Sequence, residues 1–176
     1  MKKEVVKILF LAANPIDTPT LRLGEEVREI DNALRSTDFR DKFDLQQHWA
    51  VRVGDLQELF LRHKPHIVHF SGHGSSESEI ILEDNDGTKK PVPSDALELL
   101  FSLLKDNIQC VVLNACYSER QASAIANHID CIIGMSRVIT DKSAISFSKA
   151  FYQALGYGRN VKTAFDLGCL QIDLSN

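Results

Sequence analysis

Two short stretches carry residue types suited to nucleophilic chemistry. HFSGHG, residues 69–74, follows the apolar pair Ile67-Val68 and sets His73 between two glycines; LNACYS, residues 113–118, follows the apolar run Val111–Leu113 and sets Cys116 where a strand hands over to a loop. A thiol becomes a strong nucleophile near neutral pH when an imidazole takes its proton or stabilises the thiolate. The glycines beside His73 admit φ > 0 and the close approach of a substrate backbone, and they leave amide N–H groups unobstructed. The N–H of Gly74 and that of Cys116 are therefore the candidate donors of an oxyanion site. Each stretch also has an ordinary alternative, a tight turn for Gly-His-Gly and packing for a single cysteine.

The remaining candidates read more blandly. Cys110, Cys131 and Cys169 lie in apolar runs or a helix and are expected to be small buried hydrophobes. No CxxC pair occurs, so neither disulfide nor zinc spacing is present and four free thiols are expected. His69 sits two residues before Ser71 in an alternating strand and should pack against whatever covers the sheet. His48, His63, His66 and His128 have no carboxylate or cysteine at metal-ligand spacing, which suggests solvated or capping roles. No metal and no cofactor is called for.

Strand and helix alternate along the chain that must position these groups. Strands are expected at Val5–Ala13, Leu45–Val53, His66–Ser71, Val111–Leu113 and Cys131–Met135. Helices are expected at Leu23–Leu34, from Asp55 to Pro65, and at Ser94–Lys105, Glu119–Asn127, Lys142–Leu155 and Val161–Ile172. A small hairpin with an Asp86-Gly87 turn falls within EIILEDNDGTKKPV. Continuously apolar strands separated by helices imply an α/β fold with a mostly parallel central sheet flanked by helices on both faces. Functional groups of such sheets gather at the carboxyl ends of the strands, where both HFSGHG and NACYS emerge.

Composition narrows the setting. At 176 residues with 44% hydrophobic content, the chain suits a single domain over residues 1–176 with a sizeable core. A net charge of −4 and scattered Lys and Arg give no stripe for nucleic acid, and no apolar run approaches the ~18 residues of a membrane span. MKKEVVKILFLAANP has the charge-then-apolar order of a secretion signal, but its apolar part is short, β-branched and runs into Asn14-Pro15, so a first strand and a cytoplasmic location are the expectation. The loop AANPIDTPTLRLGEE has neither a GxGxxG nor a P-loop pattern, which argues against a doubly wound small-molecule binder.

HFSGHG and LNACYS, each after an apolar strand, resemble the corresponding segments of CHAT domains, caspase-like relatives of separase. The resemblance runs from VKILFLAANP through LGEEVREI to IGMSRVITDKSAISFSKAFYQAL. It implies a caspase-like α/β sandwich and a cysteine endopeptidase with a His73/Cys116 dyad acting on a protein substrate. It also implies control by a partner or a fused module, since CHAT-like domains commonly occur fused to sensor, repeat or adaptor modules. Asn114-Ala115-Cys116-Tyr117-Ser118 departs from the caspase pattern, and His73 stands 43 rather than ~50 residues upstream of the cysteine, so caspase specificity is not carried over. Asp141, in VITDK, aligns with the acidic residue that receives a basic substrate side chain in separase-like members; helix N-capping is its alternative. The other reading of the whole is a non-catalytic interaction or signalling module that keeps the fold.

Overall fold

β-Branched and apolar runs pair into a sheet wherever the chain can bury them on both sides. The structure, a computed structural model, describes residues 4–175. Its elements are β1 (Val6–Ala12), α1 (Leu23–Arg35), β2 (Phe43–His48), α2 (Leu56–His63), β3 (Ile67–Ser71), β4 (Ile81–Glu83), β5 (Lys89–Pro91), α3 (Ser94–Leu104), β6 (Cys110–Asn114), α4 (Glu119–Ile125), β7 (Cys131–Ile133), α5 (Asp141–Gly156) and α6 (Val161–Ser175). Five strands form one sheet in the order β2-β1-β3-β6-β7, and β4 and β5 form a separate antiparallel hairpin. The pairs β1–β3, β3–β6 and β6–β7 are parallel. No helix among the described residues is long and apolar enough to cross a membrane.

The described residues divide into two compact units, one within residues 4–6, 22–45 and 139–175, the other within 7–21 and 46–138. In the second, strand residues Leu9, Leu11, Val68, Phe70, Val111 and Leu113 share one core with Phe60 of α2, Phe101 of α3 and Ile125 of α4. The Phe60 and Phe101 rings meet at 5.4 Å. All five residues of β3 and of β6 are buried, as expected of central parallel strands. His69 is fully buried and stacks on Phe10 with ring centroids 5.2 Å apart, the packing role expected of it.

In the first unit α1 packs on α5 and α5 on α6. Ser148 donates to the buried Glu26 carboxylate at 2.7 Å, and Lys149 pairs with Glu29. Gly168 lets α6 lie directly against the Phe147 ring, where a Cβ would come within 2.6 Å.

The second strand differs most from expectation. It starts at Phe43 and stops at His48, because Ala50 takes a left-handed φ of 51° and Val53–Asp55 form a 3₁₀ turn; Val51 leaves the strand and enters the core. The expected hairpin is present, and Gly87 holds φ of 82° in its turn.

Candidate active site

β3 and β6 lie side by side in register, with Ser71 opposite Asn114 at their carboxyl ends. The two chains leave the sheet together: the Gly72 N–H donates to the Asn114 carbonyl at 3.4 Å, and Gly74 crosses the Cys116 main chain so closely that a Cβ would land on the Cys116 carbonyl oxygen. Such a Cβ would also stand 2.8 Å from the carbonyl carbon and 3.2 Å from the nitrogen of Cys116. Only glycine fits there. Residues 73 and 116, far apart in sequence, are thus held on adjoining loops at one sheet edge.

The loop after His73 is framed by two rungs, Ser75 N–H to the Glu79 carbonyl at 2.8 Å and Ile81 N–H to the His73 carbonyl at 3.0 Å, with Gly74 between them opposite Ile80. Gln121 of α4 locks this loop to the helix that follows the cysteine. Its side chain is fully buried, accepts from the Ile80 N–H and donates to the Val92 carbonyl, both at 2.8 Å. Ser118, also fully buried, donates to the Leu113 carbonyl at 2.8 Å and accepts from the Met135 N–H at 2.9 Å. Between Cys116 and Ser118, Tyr117 holds φ of 58°. A non-glycine residue in this region is uncommon, and such backbone clusters at functional sites.

His73 is half-buried, and its Nε2 lies 2.7 Å from the carbonyl oxygen of Pro19. A carbonyl only accepts, so Nε2 carries the proton, and in the neutral form of the ring the lone pair lies on Nδ1. No residue type in the sequence signals what orients this histidine. The group that contacts it is a main-chain oxygen 54 positions away, and no side-chain type announces such a contact. Gln121 and Ser118 were equally silent, being ordinary polar residues until the fold buries them.

Asp141 is not the cap of α5. Thr140 is, its Oγ1 accepting from the Ser143 N–H at 3.2 Å, while Asp141 occupies the first turn and accepts from the Arg22 N–H at 3.2 Å. The capping alternative is thereby corrected: threonine in extended conformation precedes the helix and leaves the carboxylate for another partner.

The other histidines acquire partners only in three dimensions. His48 and His63 meet with Nε2 atoms 2.8 Å apart, His66 Nδ1 accepts from the Lys7 N–H at 3.0 Å, and His128 stands 3.1 Å from Glu98. Among the described residues no group of three or more His, Cys, Asp or Glu is gathered as a metal site requires.

No described cysteine is in a disulfide, and the thiols differ sharply. Cys110 and Cys131 are register partners on β6 and β7, with sulfurs 3.6 Å apart. The Cys110 thiol, donating to Cys131, lowers the latter to about 7 against the opposing effect of burial. Cys110 is pushed strongly up by the same hydrogen bond and by its burial. Cys131 is half-buried, so its expected role as an inert buried hydrophobe is corrected. The Cys169 thiol is raised by burial, then by Asp166 and Asp173.

Residues 19–166 match the CHAT domain. The chain belongs to the CHAT family. It is similar to a Roc-COR-CHAT protease of an unknown prokaryotic organism, 28% identical over 88% of this chain and 15% of that protein. A probable protease of Gillisia limnaea is 24% identical over 98% of this chain and 31% of its own length; a Roc-COR-CHAT protease of Runella zeae is 25% identical over 97% and 18%. The chain therefore spans less than a third of each of these relatives. Its fold is caspase-like. A secreted C11 cysteine protease from Bacteroides thetaiotaomicron, solved with an irreversible peptide inhibitor, superposes with a TM-score of 0.69 over 92% of this CHAT chain and 57% of its own, at 13% identity. Caspase-1 from Spodoptera frugiperda gives 0.62 over 99% and 79%, at 12% identity.

Proposed function

We propose that this CHAT domain is a cysteine endopeptidase in which Cys116 is the nucleophile and His73 its acid/base partner. The observation that carries the reading is the crossing of Gly74 over the Cys116 main chain, which holds the two strand-end loops against each other. His73 takes the thiol proton on Nδ1, and the thiolate attacks the scissile carbonyl. The tetrahedral oxyanion accepts hydrogen bonds from the N–H groups of Gly74 and Cys116. His73 then returns its proton to the leaving amine as the C–N bond breaks, and water, deprotonated by the same nitrogen, hydrolyses the acyl-enzyme. Throughout, Nε2–H stays on the Pro19 carbonyl, fixing the ring and its tautomer.

Asp141 is the residue we assign to a preference for Arg or Lys before the scissile bond. Its carboxylate accepts the Arg22 N–H at one oxygen, Oδ2, and retains capacity for a charged donor. The relatives' greater length supports regulation by a flanking segment or partner protein.

The test is cleavage of a fluorogenic peptide panel by the wild type and by Cys116→Ala. Loss of all turnover in a variant that remains folded is expected. Turnover at the wild-type rate by Cys116→Ala would remove the nucleophile assignment, and a folded wild type inert toward every peptide and electrophile would favour the non-catalytic interaction module.

A further inference from the structure

One side chain closes the loop that carries the Pro19 carbonyl. Asn14, just beyond the end of β1, accepts from the Leu21 N–H through Oδ1 at 3.2 Å and donates through Nδ2 to the Leu21 carbonyl at 3.1 Å. Two bonds to a single residue's main chain form a ring that draws the ends of the 14–21 segment together. Its own N–H donates to Glu83 Oε1 at 2.9 Å, which pins the base of the loop to β4. Above that base the segment is braced in two further ways. The Thr18 N–H and hydroxyl both donate to the Pro15 carbonyl, at 3.1 and 2.7 Å. The Ile16 N–H donates to the Gly87 carbonyl at 3.0 Å, and Asp17 Oδ1 accepts from the Lys89 N–H at 2.7 Å. Pro19, exposed at the far side of the loop, is left presenting its oxygen to His73 Nε2 at 2.7 Å.

We propose that Asn14 is a positioning residue for the His73/Cys116 reaction, acting through the Pro19 carbonyl that it holds in place; the proposal rests on the peptidase reading above. The clamp needs one donor and one acceptor at the same reach, which an amide supplies and few other side chains do. Aspartate has the same shape but offers acceptors only, so it keeps the Leu21 N–H, sets a negative charge against the Leu21 carbonyl and stands beside the Glu83 carboxylate. Alanine removes both bonds. In either case the Pro19 oxygen loses its fixed position, the Nε2–H of His73 loses its acceptor, and the Nδ1–H tautomer becomes accessible. That tautomer has no lone pair on the nitrogen that must take the Cys116 proton.

The experiment reads the histidine directly. The full chain, labelled with ¹⁵N-histidine, is examined by long-range proton–nitrogen correlation, with His73 assigned from the spectrum of His73→Gln. Cleavage of a fluorogenic peptide is measured on the same preparations. Wild type is expected to hold the Nε2–H tautomer, and Asn14→Asp and Asn14→Ala a mixture. With them kcat is expected to fall about tenfold while KM stays within about twofold, the scale of one lost hydrogen bond. Circular dichroism checks each variant, and the tautomer is read in whichever stays folded; unfolding of both would overturn the positioning role in favour of a purely structural one. A wild-type Nδ1–H tautomer, or an unchanged tautomer and kcat in Asn14→Asp, also overturns it. A tautomer that shifts in Asn14→Asp while the wild type cleaves nothing would instead retain the Asn14 role and remove the peptidase reading.

Discussion

At the scale of single residues, the two thiols in play are distinguished by what surrounds them. In the proposed dyad His73 takes the Cys116 proton, whereas Cys131 takes its depressed value of about 7 from the Cys110 thiol on the neighbouring strand. A group whose value lies near 7 gains its charge as pH rises through 7, so Cys131 should be roughly half thiolate there, while an ordinary thiol near 8.5 is a few per cent. Alkylation of Cys131 by iodoacetamide is therefore expected to climb between about pH 6 and 8, and Cys110→Ala, which removes the donor, should move the climb upward. Indifference of the profile to Cys110 would detach the two sulfurs. At the dyad, His73→Ala should lower peptide cleavage by ~10²- to 10⁴-fold, the contribution of a positioned acid/base. Gly74→Ala carries a steric argument instead. Its Cβ has nowhere to go but into the Cys116 carbonyl, so the loops must part, with a stability cost of about 1–3 kcal/mol and loss of turnover; a fully active Gly74→Ala would contradict the crossing.

At the scale of elements, the sheet edge works because α4 is bolted to the loop after β3. Gln121 bridges the Ile80 N–H and the Val92 carbonyl, and with its side chain gone two buried main-chain groups lose partners. Gln121→Ala should cost about 2–6 kcal/mol, from ~1–3 for each orphaned group, read as a lowered thermal midpoint. A midpoint within a degree of wild type would mean that water replaces the amide. Much of this layer was legible beforehand. Hydrophobic runs located β3, β6 and β7 to within two residues, the Asp86-Gly87 turn announced the hairpin, and alternation implied a parallel sheet with His73 and Cys116 at one edge. What was not legible is long-range and polar. Nothing near Pro19 signals that its carbonyl meets His73, and nothing near Cys110 and Cys131 signals that register sets their sulfurs 3.6 Å apart. The second strand misled because Val51 looks like a strand residue, when it is buried as a loop residue beyond the left-handed Ala50.

At the scale of the whole molecule, the chain is a CHAT domain that covers only 15–31% of the curated relatives it resembles, so the partner, the trigger and the natural substrate belong to the proposal of a regulated peptidase. Substrate charge is where this can be probed with the chain alone. A carboxylate meeting Arg in charge-assisted hydrogen bonds is worth ~1.5–3 kcal/mol, roughly 10- to 200-fold in preference over a neutral residue. Arg should be favoured over Lys if the pairing is bidentate. Asp141→Ala should erase the preference in a peptide panel; a preference for Asp, or an Arg preference that survives the substitution, would return Asp141 to its contact with the Arg22 N–H alone.

The central claim is that the His73 and Cys116 loops form one nucleophilic centre. It is tested most directly by incubating the intact chain near pH 7 with a peptidyl electrophile carrying Arg, then digesting and mapping the adduct by mass spectrometry in wild type and His73→Ala. The account predicts modification at Cys116 that falls away in His73→Ala, with any labelling of Cys131 equal in both. An adduct confined to Cys131, or Cys116 labelled as fast without His73 as with it, would contradict the dyad.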